Sequence, residues 1–179
     1  MVFGPILDSV AARRRGVPMV QVLSEGNRLV ALRLPWGAKL AFWLTNLPYW
    51  ALAAALWSGS LSPAPLAGSA TAHALSASVV ACASTAFHGM VLFGPVDSAW
   101  PRRLLSADIF AANLYGLVLS LLCGLYRALR HFGLPLLLLM GAAKAKRAGH
   151  ITTYACFHGT WHVFSCAAMW RCLQSLQLS

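Results

Sequence analysis

Two histidines stand four residues apart in the apolar segment YACFHGTWHVFSC, residues 154–166. A spacing of four places the rings of His158 and His162 on one face of a helix, about one turn apart. Two imidazole nitrogens arranged in this way can bind one metal ion at about 2.0–2.1 Å. The alternative is that each histidine forms hydrogen bonds with a neighbouring helix. The pair alone indicates a metal site only weakly, so the choice between these two interpretations depends on the other polar residues of the chain.

Two further polar side chains are expected at a similar depth. His88 lies about six residues before the end of one apolar stretch, and Asp108 about five residues after the start of the next. The turn at 94–103 joins these stretches, so both groups lie near the same end of the molecule. If the apolar run 134–143 crosses the membrane, the segment that carries His158 begins at that end too. The sequence therefore predicts that three histidines and one carboxylate converge.

Three histidine ligands and an open fourth position are typical of catalytic zinc. Zinc lowers the pKa of a bound water molecule toward about 7. We interpret His88, His158 and His162 as the metal ligands and Asp108 as the general base that takes the proton of this water. Ser84 precedes His88 by four residues and shares its helical face. Its hydroxyl would donate to a carbonyl oxygen on which negative charge develops.

Each of the two proposed catalytic residues has a simpler interpretation. The hydroxyl of Ser84 could donate to a carbonyl oxygen of its own helix, as serines in apolar helices often do. The carboxylate of Asp108 could form an ion pair with Arg102 or Arg103 at the membrane interface. Both alternatives stay open at the level of sequence.

The remaining polar candidates are weaker. His73 is expected near the far end of its apolar stretch, away from the cluster. His131 and His150 fall in segments that are predicted to be basic, solvated loops. Cys156 does not share the helical face of His158, so we do not interpret it as a ligand.

The elements that position these residues are expected to be membrane helices. Hydrophobic residues make up 59% of the 179 residues, charged residues make up 10%, and the mean hydropathy is +0.65. Soluble domains carry about 25% charged residues. The composition therefore predicts an all-α, polytopic transmembrane helix bundle, with about five spans of about 20 residues each.

The bundle is predicted to occupy residues 39–179, after a basic cytosolic tail at residues 1–38. The expected spans are about 39–58, 70–93, 104–126, 134–143 and 151–173. Pro48 is expected to kink the first of them. The segment RALRHFG at 127–133 is expected to break the run before 134–143, which is short for a span and could be re-entrant.

The charge pattern indicates the partners. The net charge is +10, from 14 Lys and Arg against 4 Asp and Glu, and the basic residues cluster between apolar runs. Such clusters are typical of cytoplasmic loops that contact anionic lipid headgroups. No aromatic and basic surface or known binding motif accompanies the charge, so a nucleic-acid partner is not expected. The expected partners are the lipid bilayer and a membrane lipid substrate.

Taken in order, three motifs resemble those of a known superfamily. The motifs are SxxxH from Ser84 to His88, an aspartate early in the next stretch at Asp108, and HxxWH from His158 to His162. They are similar to motifs of the CREST superfamily of membrane hydrolases. That group includes alkaline ceramidases, the adiponectin/progestin-receptor and hemolysin III family, and phospholipase-like proteins that act on GPI-anchored substrates.

The resemblance covers about residues 80–165. It implies that the three histidines bind zinc, and that the serine and the aspartate serve the catalytic water and the amide or ester bond. The family has seven spans, three of which separate the aspartate helix from the HxxxH helix. Here one short apolar run lies between Asp108 and His158. The resemblance therefore implies a shortened or divergent member of the superfamily.

The function expected from the sequence is zinc-dependent hydrolysis of an amide or ester bond in a lipid that enters laterally from the bilayer. The expected location is an endomembrane (ER or Golgi) or the plasma membrane. A non-catalytic membrane receptor or scaffold that retains a structural zinc site is the alternative. A haem-binding electron carrier is less favoured, because axial histidines usually face each other from two helices.

Overall fold

The computed structural model describes residues 32–63, 69–95 and 100–177. Six helices lie within these residues, and no strand occurs there, which confirms the all-α prediction. The helices are α1 (Trp36–Leu44), α2 (Leu47–Trp57), α3 (Ala70–Phe93), α4 (Trp100–Cys123), α5 (Leu125–Arg147) and α6 (Ile151–Gln177). Most of the predicted N-terminal tail, residues 1–31, lies outside the described residues.

The first predicted span consists of two helices rather than one kinked helix. Thr45 and Asn46 separate α1 from α2, and Pro48 lies in the first turn of α2. In a continuous helix the proline ring would clash with the carbonyl group of Leu44, whereas the first turn of a helix accepts proline without loss of a hydrogen bond. The side chains of Thr45 and Asn46 each donate to a carbonyl oxygen in the last turns of α1. The chain therefore breaks before Pro48.

The predicted break at 127–133 is wrong, because α5 continues through these residues and through 134–143. The interruption lies instead at Gly124, whose φ of 82° belongs to the left-handed region that glycine adopts readily. Arginine, alanine and leucine favour helices, so the charged residues of 127–133 lower the hydropathy without ending the helix. His131 consequently lies in a helix and not in a loop.

The helices pack as two neighbouring groups. The most extensive packing is between α5 and α6, which a short turn joins, while α3 packs against α2 and α4. The helix α6 also contacts α2 and α4, and so connects the two groups. The most fully buried apolar side chains include Leu52, Leu61, Leu119, Met169 and Leu173.

Three tryptophans fix α1 and α2 against α3. The indole nitrogen of Trp43 donates to the carbonyl oxygen of Thr85 at 3.3 Å, and that of Trp50 donates to the Thr85 hydroxyl at 3.0 Å. The indole nitrogen of Trp57 donates to the hydroxyl of Ser78 at 3.0 Å. These bonds hold both sides of the break between α1 and α2 on the surface of α3.

By length and composition, α3 and α4 are the two described helices that could cross a membrane, against about five spans expected. The apolar windows of α3 and α4 are only 39% and 28% buried within the molecule, whereas the core helix of a soluble protein is mostly buried. Large apolar side chains are accordingly exposed on α4 and at the start of α5, among them Phe110, Leu121, Leu125 and Tyr126. Apolar surface of this extent is typical of a face that meets a membrane, another protein or a ligand.

Candidate metal centre

Three histidines from two helices meet inside the bundle. His88 comes from α3, and His158 and His162 come from α6; one nitrogen of each ring lies within 4.8 Å of the others. The ring centroids of His88 and His162 are 4.7 Å apart, and those of His158 and His162 are 5.0 Å apart. No other group of three or more metal-binding side chains is this close among residues 32–63, 69–95 and 100–177. The predicted histidines are therefore close enough to bind a metal ion.

The backbone of α3 determines which nitrogen of His88 faces the other rings. The Nδ1 atom lies 2.9 Å from the carbonyl oxygen of Ser84. A carbonyl oxygen only accepts hydrogen bonds, so Nδ1 carries the proton and donates it, and the lone pair of the neutral ring is on Nε2. Metal-binding histidines are commonly oriented in this way by a carbonyl group behind the ring.

His162 is the least satisfied polar residue in the described part of the chain. Its side chain is 1% exposed, and neither Nδ1 nor Nε2 has a hydrogen-bond partner. No other buried side-chain nitrogen or oxygen atom among the described residues lacks a partner. An unsatisfied buried polar group destabilises a protein by about 1–3 kcal/mol, so such a group calls for an explanation. A ligand that takes the lone pair of one ring nitrogen supplies that explanation.

Aromatic rings enclose the three histidines. Phe42 of α1 makes edge contacts with all three, at centroid distances of 5.2 Å to His88, 5.4 Å to His158 and 6.2 Å to His162. Tyr49 of α2 lies 5.8 Å from His162, and Trp161 lies 4.8 Å from it. Within this shell His88 and His162 are buried and His158 is half-buried, which limits the access of bulk water and strengthens electrostatic interactions at the cluster.

A glycine lets α6 approach the break between α1 and α2. Gly159 lies between the two histidines of α6 and is buried. A Cβ atom at this position would lie 3.1 Å from the methyl carbon of Thr45 and 3.4 Å from the ring of Phe42. The absence of a side chain at Gly159 therefore brings the histidine face of α6 against the aromatic shell.

Ser84 does not form the hydrogen bond with its own helix that the simpler interpretation expected. Its hydroxyl donates to Oδ1 of Asn46 at 2.8 Å, across to the break between α1 and α2. By contrast, Ser78, Ser106 and Ser120 each donate to the carbonyl oxygen four residues earlier. Ser84 thus differs from these three serines in that its hydroxyl donates to another element and not to its own helix.

Asp108 lies beside Ser84. Its carboxyl group interacts with the Ser84 hydroxyl and is close enough to the phenol of Tyr49 for an electrostatic interaction. It makes no ion pair with Arg102 or Arg103, both of which the structure describes; Arg103 lies over the ring of Trp100 at 5.6 Å. Asp108 is therefore connected to the cluster through Ser84 and Tyr49, which packs on His162.

The weaker candidates lie elsewhere. His73 is in the first turn of α3 and is buried, with its Nδ1 atom 3.4 Å from the hydroxyl of Tyr115. His150 is exposed in the turn after α5. Cys156 is an exposed free thiol on α6. None of these three belongs to the histidine cluster.

The contribution of α1 and α2 to the site was not expected from the sequence. Phe42, Asn46 and Tyr49 all contact the predicted site residues, yet none of them carries a motif. The one available signal was Asn46, an amide inside an apolar segment, two residues before Pro48. A polar side chain at such a position needs a partner within the bundle.

Comparisons with known proteins add no family assignment: no family model, curated protein or solved structure matches the chain. The roles of the cluster residues therefore rest on the geometry alone.

Proposed function

We propose that this protein is a multi-pass membrane hydrolase that uses zinc to cleave an amide or ester bond in a lipid, as a shortened member of the CREST superfamily. The observation that carries the proposal is His162, buried without a partner between two other histidines. The proposed location is an endomembrane or the plasma membrane, in keeping with the exposed apolar faces of α3 and α4.

The donor set favours zinc. His88, His158 and His162 offer three imidazole nitrogens, and no thiolate or carboxylate joins their group. Three histidines with a further position left for water or substrate are a common catalytic zinc site. When bound, zinc supplies a Lewis acid for the scissile carbonyl group and a water molecule acidic enough to act as the nucleophile.

The side chains around the cluster have distinct tasks. Asp108 is the only carboxylate side chain among the described residues, so it accepts the proton that the nucleophilic water loses. Ser84 connects Asp108 to His88, because its hydroxyl interacts with Asp108 and its carbonyl oxygen accepts the hydrogen bond that orients His88. Phe42 and Tyr49 exclude bulk water from the rings, which preserves the strength of these polar interactions.

The lipid reaches the site from the membrane. Only 28% of the apolar window of α4 is buried, and Asp108 lies in the first half of this helix. An acyl chain can therefore lie along the exposed apolar surface while the polar linkage of the lipid approaches Asp108. The basic residues at the adjoining helix ends, Arg102, Arg103, Lys144 and Arg147, suit the headgroup region of an anionic bilayer.

The test is an assay of the purified, zinc-loaded protein against panels of ceramides and phospholipids, with released fatty acid measured by mass spectrometry. We expect Asp108→Asn to lower kcat by about 10²–10⁴-fold, because a positioned general base contributes that much. The zinc content of this variant should stay at the wild-type level. Ser106→Ala is the matched control on α4, because Ser106 is exposed and donates only to its own helix.

Two outcomes count against the proposal. An Asp108→Asn variant as active as wild type would remove the general base from the mechanism. A wild-type protein that holds zinc at the three histidines but hydrolyses no lipid of the panels would support the receptor or scaffold alternative, in which the buried cluster has a structural role.

A further inference from the structure

One buried amide at the break between α1 and α2 is connected to the site. Asn46 is 1% exposed and contacts α3 through the Ser84 hydroxyl, with 2.8 Å between Asn46 Oδ1 and Ser84 Oγ. A buried amide between two short apolar helices is costly unless its donor and acceptor atoms are paired. The hydrogen bonds of Asn46 should therefore explain why an amide is buried at this position.

The orientation of the Asn46 amide follows from its second partner. Its Nδ2 atom donates to the carbonyl oxygen of Trp43 at 2.8 Å. If the amide were turned over, Oδ1 would face this carbonyl oxygen and two acceptors would meet. The Trp43 carbonyl group therefore keeps Nδ2 on its own side and directs Oδ1 toward Ser84.

Ser84 has one hydroxyl proton and two acceptors within reach. One is Oδ1 of Asn46, and the other is the carboxyl group of Asp108. In the structure the hydroxyl donates to Asn46 at 2.8 Å. A carboxylate oxygen that receives the Ser84 proton as a hydrogen bond is a weaker base than one that does not, because the bond stabilises its charged form.

We propose that Asn46 is a positioning residue that takes the hydrogen bond of Ser84 and so leaves the Asp108 carboxylate available as a proton acceptor. This inference rests on the proposed hydrolase function. The water proton moves to a carboxylate oxygen of Asp108, while Ser84 keeps its own proton in the hydrogen bond to Asn46 and offers an oxygen lone pair to the Asp108 carboxyl group once that group is protonated. Ser84 then accepts a hydrogen bond at the site, rather than donating one to the substrate as the sequence suggested.

The test is a double-mutant cycle on hydrolysis with Asn46→Ala, Ser84→Ala and the double variant, all loaded with zinc. We expect Asn46→Ala to lower kcat by about 10- to 100-fold, the usual effect of removing a group that orients a site residue, with KM and zinc content unchanged. In the Ser84→Ala background, Asn46→Ala should cause no further loss. Equal losses of kcat for Asn46→Ala in the two backgrounds would overturn the proposal.

Two variants separate positioning from a general disturbance of the fold. Asn113→Ala removes an amide that donates only to its own helix, at 2.6 Å to the Ile109 carbonyl oxygen. Thr45→Val removes the hydroxyl that donates to the Phe42 carbonyl oxygen at the same break. Both should keep the wild-type kcat. If Thr45→Val lowered kcat as much as Asn46→Ala, Asn46 would only stabilise the backbone between α1 and α2, and the proposal would be overturned.

A second readout does not depend on activity. The apparent Tm of the same four proteins in detergent, measured without substrate, gives the coupling between the two side chains. We expect the Tm losses of the single variants to exceed, when summed, the loss of the double variant. Additive losses of Tm would mean that Asn46 and Ser84 do not interact, which would overturn the proposal. If the Tm values show that Asn46 and Ser84 are coupled but the wild-type protein hydrolyses no lipid, the result would instead overturn the proposed function.

Discussion

Two histidines of this bundle are both buried but differ in their partners. His73 is 4% exposed and lies beside the hydroxyl of Tyr115, near the start of α3. His162 is 1% exposed, and both of its ring nitrogens lack a hydrogen-bond partner. His73 belongs to no group of metal-binding side chains, whereas His162 faces two further histidines. Burial alone therefore does not indicate a site; unsatisfied nitrogens that converge with other ligands do.

The difference between His73 and the three clustered histidines should be largest in how their replacement changes the response of the protein to zinc. A ligand present at 100 times its Kd stabilises the native state by about 2.7 kcal/mol. We expect added zinc to raise the apparent Tm of the wild type and of His73→Ala, but not that of His88→Ala. The measurement is thermal unfolding in detergent with zinc and with a chelator. A rise in His88→Ala as large as in the wild type would contradict the shared site.

The two histidines should also respond oppositely to replacement in the metal-free protein. His162→Leu removes two unsatisfied buried nitrogens, so it should raise the free energy of unfolding by about 1–3 kcal/mol. His73→Leu leaves the Tyr115 hydroxyl without this partner and should lower it by a similar amount. Chemical unfolding in the presence of a chelator measures both. Destabilisation by His162→Leu would mean that this ring is satisfied in the metal-free state.

The smallest expected effect concerns two glycines inside helices. A Cβ at Gly159 would meet Thr45 at 3.1 Å, whereas a Cβ at Gly133 of α5 would meet nothing within 4 Å. Alanine favours a helix over glycine by about 1 kcal/mol, but crowding in a packed region costs about 1–3 kcal/mol. Gly133→Ala should therefore stabilise the protein, and Gly159→Ala should not. Equal gains in apparent Tm would contradict the close approach of α6 to α1.

Part of the site could be predicted because it depends on local periodicity. The spacing of four put His158 and His162 on one face, and the short connection between two apolar stretches put His88 and Asp108 near one end. The structure bears out the approach of the three histidines. Helix geometry fixes such relations over a few residues, so they can be inferred without knowledge of the packing.

The rest depends on packing and backbone conformation. Hydropathy reports which residues are apolar and not where a helix ends, so the charged residues of 127–133 were mistaken for a break that lies at Gly124. The proximity of Asn46 to Ser84 follows from the separation of α1 and α2, and from how closely α2 packs on α3. No pattern within a single helix contains this information.

The proposed function depends on the binding of one zinc ion by His88, His158 and His162. The most direct measurement is the metal content of the protein, purified in detergent without a chelator, for the wild type and for His162→Ala. We expect about one zinc ion per wild-type chain, as for a single three-histidine site, and a loss of nearly all of it in the variant. A wild-type protein that neither retains nor takes up zinc, or a variant with the same zinc content, would contradict the account.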